Sequence, residues 1–184
     1  MKKVSFFLLG AAFLASSLAF VAPKAPITLA VQSDKSRVDF IGSKAADFHT
    51  GSFTVKGGSV QVEAGKLVGG SFVIDLANLK VTDAAGDRLA GHLKSPDFFD
   101  VAKFGEATYT ISSVNYTSAT ACTISGNLNI KGVPVPVSFA ANIRSASEKG
   151  LFGQAYFSLD RTLLGIAYAG PSNDVQIAVH LFAK

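Results

Sequence analysis

The residue pattern predicts an all-β fold, a single antiparallel β-barrel of about eight strands with one short α-helix. Three observations carry this reading. Apolar and polar residues alternate with period two along much of the chain, glycine-bearing turns separate the alternating runs, and one stretch alone changes to a four-residue spacing. A chain of 184 residues is long enough for one domain with a real core and short for two.

The first residues read as an export signal. Lys2 and Lys3 precede an apolar run over residues 4–15, and Ser16-Ser17-Leu18-Ala19 supplies the small residues that a signal peptidase needs. Cleavage is expected after Ala19, because a cut after Ala22 or Ala25 would put Pro23 or Pro26 just past the scissile bond. The rival reading is an uncleaved anchor, since residues 4–22 are just about long enough to span at roughly 20 residues. Ser5, Ser16 and Ser17 dilute that run, and no charged stop-transfer cluster follows it. Residues 1–19 are therefore assigned to a signal peptide, 20–30 to a loose lead-in containing Pro23 and Pro26, and 31–184 to the barrel. The expected location is periplasmic or secreted. Loss of Lys2 and Lys3 lowers the formal charge from +4 to +2, and no Lys/Arg cluster remains to track a nucleic acid. Cys122 is the single cysteine, so the fold has to stand without an internal disulfide.

The strands follow in order. Val38 and Phe40 oppose Arg37 and Asp39. Phe53 and Val55 lead to Gly57-Gly58, read as a turn, and Val60 and Val62 follow it. Phe72, Ile74 and Leu76 oppose Ser71, Val73 and Asp75. The rhythm then breaks: Ala85, Leu89 and Leu93 recur every four residues, Thr82 or Asp83 can cap the start, and Ser95-Pro96 stops it. This predicts an amphipathic helix over residues 83–94, running into Asp97-Phe98-Phe99-Asp100. Ala107, Tyr109 and Ile111 restore the alternation. Cys122, Ile124, Gly126, Leu128 and Ile130 are its clearest case, with Thr123, Ser125, Asn127, Asn129 and Lys131 on the wet face. The Lys131-Gly132-Val133-Pro134 connection suits a hairpin into Val135, Val137, Phe139, Ala141 and Ile143, and Pro136 favours an edge or bulge there. Residues 151–159 form a further candidate, and Val175, Ile177, Val179 and Leu181 close the chain.

Chemistry is hard to place on this framework. His49, His92 and His180 share no i,i+2 or i,i+4 spacing that would make a local metal pair, and His180 is expected to point outward. No Gly-x-Ser-x-Gly elbow occurs, Cys122 sits mid-strand on the dry face, and no phosphate loop links a strand to a helix. No catalytic residue, metal or cofactor is assigned. The dry faces are the informative feature. A barrel of about eight strands can be filled by its own side chains or can hold one small ligand. The candidate lining residues are Phe40, Phe53, Phe72, Ile74, Leu89, Leu93, Phe98, Phe99, Tyr109, Ile111, Leu128, Ile130, Phe139, Phe157 and Ile166, with Lys44, His49 and Arg161 as a polar mouth. Asp160 and Arg161 admit two readings, a loop tie or a holder for a lipid headgroup.

Five blocks together resemble a known family. They are Gly42-Ser43-Lys44 with His49-Thr50-Gly51-Ser52-Phe53; Gly69-Gly70-Ser71-Phe72-Val73-Ile74-Asp75; Gly91-His92-Leu93-Lys94-Ser95-Pro96-Asp97-Phe98-Phe99-Asp100; Gly126-Asn127-Leu128-Asn129-Ile130-Lys131-Gly132; and Leu159-Asp160-Arg161-Thr162 with Gly165-Ile166. In this order they resemble the YceI-like family of exported, lipocalin-like lipid-binding proteins. Two positions depart from it: Asp47 stands where Gly is common, and Phe104-Gly105 where Tyr-Pro is common. The resemblance implies an extended eight-stranded barrel with a helix across it and a polyisoprenoid-type lipid in the pore, held by a carrier without catalysis. The alternatives are an enzyme acting on an isoprenoid or fatty acyl lipid, and a packed β-fold whose surface binds protein partners.

Overall fold

Alternation turns into strands almost throughout residues 25–184, the part of the chain that the structure, a computed structural model, describes. The expected signal peptide and its cleavage point lie outside the described residues. The elements are β1 (Ile27–Ala30), β2 (Arg37–Lys44), β3 (Asp47–Glu63), β4 (Lys66–Val81), α1 (Gly86–Lys94), β5 (Glu106–Tyr116), β6 (Ala121–Ile130), β7 (Val133–Ser147), β8 (Gly150–Asp160), a 3-10 turn (Arg161–Leu164) and β9 (Asp174–Ala183). All the pairings are antiparallel. The order β3-β2-β9-β8-β7-β6-β5-β4, completed by β3 with β4, closes an eight-stranded barrel, and β1 pairs with β3 beyond the end of β2.

Three expectations are corrected. Residues 27–30, assigned to the loose lead-in, form β1, whose Ile27 lies opposite Val62 in β3. Gly57-Gly58 is not a turn: β3 runs 17 residues straight through it. The reason is the partner strand. Gly58 has φ +137° and Gly70 in β4 has φ +140°, and a Cβ would fall 2.2 Å from the Ser71 carbonyl oxygen at the first and 2.5 Å from that of Ser59 at the second. The two glycines let β3 and β4 bend and approach as closure requires. The helix begins at Gly86 rather than Asp83, because the Asp83 carboxylate is used before the helix starts, accepting from the N–H groups of Thr50 (2.7 Å) and Ala85 (2.8 Å).

Other features follow the residue pattern. Lys131 (φ +52°) and Gly132 (φ +77°) make the two-residue link between β6 and β7, with Ile130 opposite Val133. Two positive φ values are what the right-handed twist of a tight hairpin demands. β7 pairs with β8 only from Ala141 onward, so Pro136 lies on a stretch bonded to β6 alone and its missing N–H leaves no ladder incomplete.

The interior has two unlike halves. Around Val55 and Val60, which have no exposed surface, Val62, Leu67, Cys122, Ile124, Ala141, Ile143, Ala155 and Leu181 pack solidly. Tyr109 spans the barrel above them. Its ring lies over Gly126, where a Cβ would come within 2.8 Å of the phenol, and its hydroxyl donates to the Val137 carbonyl at 2.9 Å. A side chain at 126 would displace that ring. The rings continue from Tyr109 to Phe72 on one side (centroids 5.7 Å apart) and to Phe139 on the other (5.5 Å), and Phe139 stacks on Phe157 at 4.4 Å. This belt is a floor, and the half above it is hollow.

Candidate functional site

The hollow half is a cavity of about 510 Å³, in the range of small-molecule sites. Each wall strand contributes the residues that alternation turns inward. The lining includes Phe40 of β2, Phe53 of β3, Phe72 and Ile74 of β4, Tyr109 of β5, Leu128 and Ile130 of β6, Phe139 of β7 and Phe157 of β8. Leu89 and Leu93 enter from α1, Phe98 and Phe99 from the turn after it, and Ile166 from the loop that leads to β9. Phe53 meets Phe99 edge-on at 5.6 Å and Phe40 at 5.3 Å, so the wall and the cap share one aromatic cluster.

Ile111 is the exception among the expected lining residues. It lies opposite Gly70, one inward position beyond the Tyr109–Phe72 pair, and packs half-buried against the solid core below the floor. Alternation identifies the inward face of β5 but not the depth at which a ring divides that face. Several lining residues carry no periodic signal: Leu164, Tyr168 and the segment 169–172 belong to an irregular loop, and His92, a candidate only for the enzyme alternative, lines the cavity as well. His92 in fact roofs the opening, with Phe98 and Tyr168 ring centroids at 5.0 and 5.1 Å. The inward residues of β9, Val175, Ile177 and Val179, carried the signal in their alternation.

Polar groups gather at one end, where the β2–β3 hairpin, α1 and the 161–173 loop surround the opening. Lys44 and His49 both lie there, and both face carboxylates. Lys44 Nζ is 3.5 Å from Asp47, and His49 is 3.4 Å from Asp83 through Nδ1 and 3.9 Å from Asp47 through Nε2. Asp83 is held below the usual carboxylate range by the Ala85 and Thr50 N–H groups, with His49 adding to the effect. Arg161 touches the cavity wall but is not available as a mouth residue, which corrects the expectation. Its guanidinium is buried and donates to the carbonyls of Ile166 (2.6 Å), Tyr168 (2.8 Å), Pro171 (2.9 Å) and Ser172 (2.9 Å). The tie is made without Asp160, whose carboxylate instead accepts from the Thr162 hydroxyl (2.7 Å) and N–H (2.8 Å).

Cys122 is buried in the solid half, where desolvation raises its thiol pKa and keeps it protonated. Among the described residues no three His, Cys, Asp or Glu side chains gather as a metal site. Tyr109 is pushed up to about 12 by burial, so its phenol is a neutral donor locked on a carbonyl.

A closed antiparallel barrel, dry inside and open at one end, is the architecture of the lipocalin-like barrels. The YceI-like domain matches residues 29–183, and the chain belongs to that family. A UPF0312 protein of Pseudomonas fluorescens is 30% identical over 130 residues, which cover 67% of this chain and 66% of the relative. Burkholderia cenocepacia BcnA superposes with a TM-score of 0.71 at 19% identity, covering 84% of this chain and 99% of that one. A polyisoprenoid binding domain from Saccharophagus degradans, implicated in plant cell wall breakdown, superposes with a TM-score of 0.65 at 18% identity, over 85% and 97%.

Proposed function

We propose that the barrel binds a long apolar lipid, a polyisoprenoid or a chain like it, in the hollow half, and that it serves as an exported carrier or sequestering protein rather than an enzyme. The observation that carries this is the cavity itself: space of about 510 Å³ whose wall presents an almost wholly apolar surface. Burying one five-carbon prenyl unit there is worth a gross ~3–4 kcal/mol, at about 0.8 kcal/mol per methylene-like group. A binder needs nothing more than that.

The mouth residues support a tail-driven site. Lys44 and His49 lie beside carboxylates and Arg161 is spent on its own loop, so none of these three offers an unshared positive charge to an anionic head. The polyisoprenoid binding domain of Saccharophagus degradans, with the same fold, is consistent with this reading. Native mass spectrometry of freshly purified protein tests it. The expected result is a chain carrying an extra lipid mass that detergent exchange removes. A chain at its bare mass, or one that converts added prenyl lipid to a new product, would overturn the proposal.

A further inference from the structure

We propose that the mouth of the barrel seats on the surface of a lipid bilayer, with the tip of the β2–β3 hairpin and the 161–173 loop as the contact rim; this rests on reading the cavity as a tube for a lipid that resides in membranes. Three independent observations converge on that rim. The first is exposed apolar surface. Phe48 is 61% exposed, Leu163 59% and Tyr168 42%. Single exposed apolar residues are ordinary, but a group beside the opening of a dry cavity marks a contact surface. The hairpin and the loop form one surface because Ser172 N–H donates to the Ser43 carbonyl at 2.7 Å.

The second is charge. From Thr162 to Asn173 the chain has no Asp, Glu, Lys or Arg, although Leu163 and residues 167–170 are exposed, and on the hairpin tip the charges of Lys44 and Asp47 face each other at 3.5 Å. At the far end of the barrel the β3–β4 turn carries Glu63 and Lys66 and the β7–β8 turn Glu148 and Lys149. Ala25, the first described residue, lies at that charged end beside the β3–β4 turn.

The third is the backbone. An irregular loop laid against lipid must satisfy its carbonyls from within, since no water reaches them there. Arg161 does this for Ile166, Tyr168, Pro171 and Ser172, while its own charge stays only 7% exposed beneath the loop. Across the opening, α1 carries Asp87, Arg88 and Lys94, so the contact is one-sided and the barrel leans onto its loop edge. Tyr168, an aromatic ring with a polar tip, suits the boundary between headgroups and acyl chains.

Flotation with phosphatidylcholine vesicles tests the rim, with native mass spectrometry run on the same samples. The comparison is wild type against F48S/L163S, two exposed residues that do not line the cavity. Wild type should float, and the variant should partition at least tenfold less, a difference of about 1.4 kcal/mol. Its melting temperature and co-purified lipid should be unchanged. A variant that floats like wild type overturns the proposal. So does a wild-type chain that carries lipid yet stays in the unbound fraction, which would leave the tube reading intact, whereas a chain that neither carries lipid nor floats defeats both. A dimer in solution that F48S/L163S dissolves would assign the rim to a second copy and also overturn the bilayer contact.

Discussion

Arg161 and Tyr109 are buried polar side chains with opposite duties. Arg161 holds four carbonyls of one loop, and Arg161→Ala would leave them to find water by opening it. The expected loss is about 2–4 kcal/mol by denaturant unfolding, with the bound lipid species unchanged. Arg161→Lys should recover little of it, since an ammonium cannot reproduce the planar fork. A shift in lipid selectivity without loss of stability would return Arg161 to the role of head binder. Tyr109 favours its neutral form in the fold. Its folded pKa of about 12 lies above the ordinary phenol value of 10.0, so the stability it contributes is complete below pH 10 and disappears as pH rises through 12. Unfolding free energies of wild type and Tyr109→Phe should therefore differ below pH 10, where the phenol keeps its bond to Val137. They should converge toward pH 12.

The elements differ in how far residue pattern alone foretells them. β6 was legible residue by residue, because its dry face from Cys122 to Ile130 turns into the barrel while the other face meets water. The β3–β4 pair was not. Gly57-Gly58 has the composition of a turn, and only the close approach of β4 explains why the strand continues. Similarly, the 161–173 loop supplies part of the cavity wall, yet it is shaped by hydrogen bonds to one arginine and shows no periodicity to read. The aromatic floor was half visible: Tyr109 and Phe139 were placed inside, but nothing in the alternation says that Tyr109 reaches over Gly126 and leaves Ile111 beneath it. The β3–β4 bend yields a prediction of its own. Gly70→Ala puts a Cβ 2.5 Å from the Ser59 carbonyl at φ +140°, and should cost about 2–3 kcal/mol or more in thermal or denaturant unfolding. Gly42→Ala, with open space around its Cβ position, is the control and should change little.

At the scale of the whole molecule, the fold is a tube blocked halfway along, and the block sets what it can hold. Affinity for a prenyl series should climb with each added isoprene unit until the space above Tyr109 is full, then level off. The gross gain per unit would soon pass the practical ceiling of about 18–21 kcal/mol for non-covalent binding, so ordering costs must flatten the curve in any case. Titrating delipidated protein with chains of increasing length measures this. Affinity that ignores tail length but follows the headgroup would remove the tube from the account.

The division between the solid and hollow halves also makes the ligand a detachable part of the protein's own core. Without it, the mouth half is held chiefly by strand pairing and a rim of side chains, while the far half keeps its packing whatever the ligand does. Local opening free energies should then be graded along a single strand. In β6, amides near Ile124 should exchange with solvent deuterium at the slow rate of global unfolding in both states. Those near Leu128 and Ile130 should exchange fast in the empty barrel and slow down once a lipid is in place, by an amount that grows with free lipid over Kd. A carrier built this way reports its own cargo: full, it is one cooperative body; empty, it is a rigid base with a loosened collar, ready to take up the next chain.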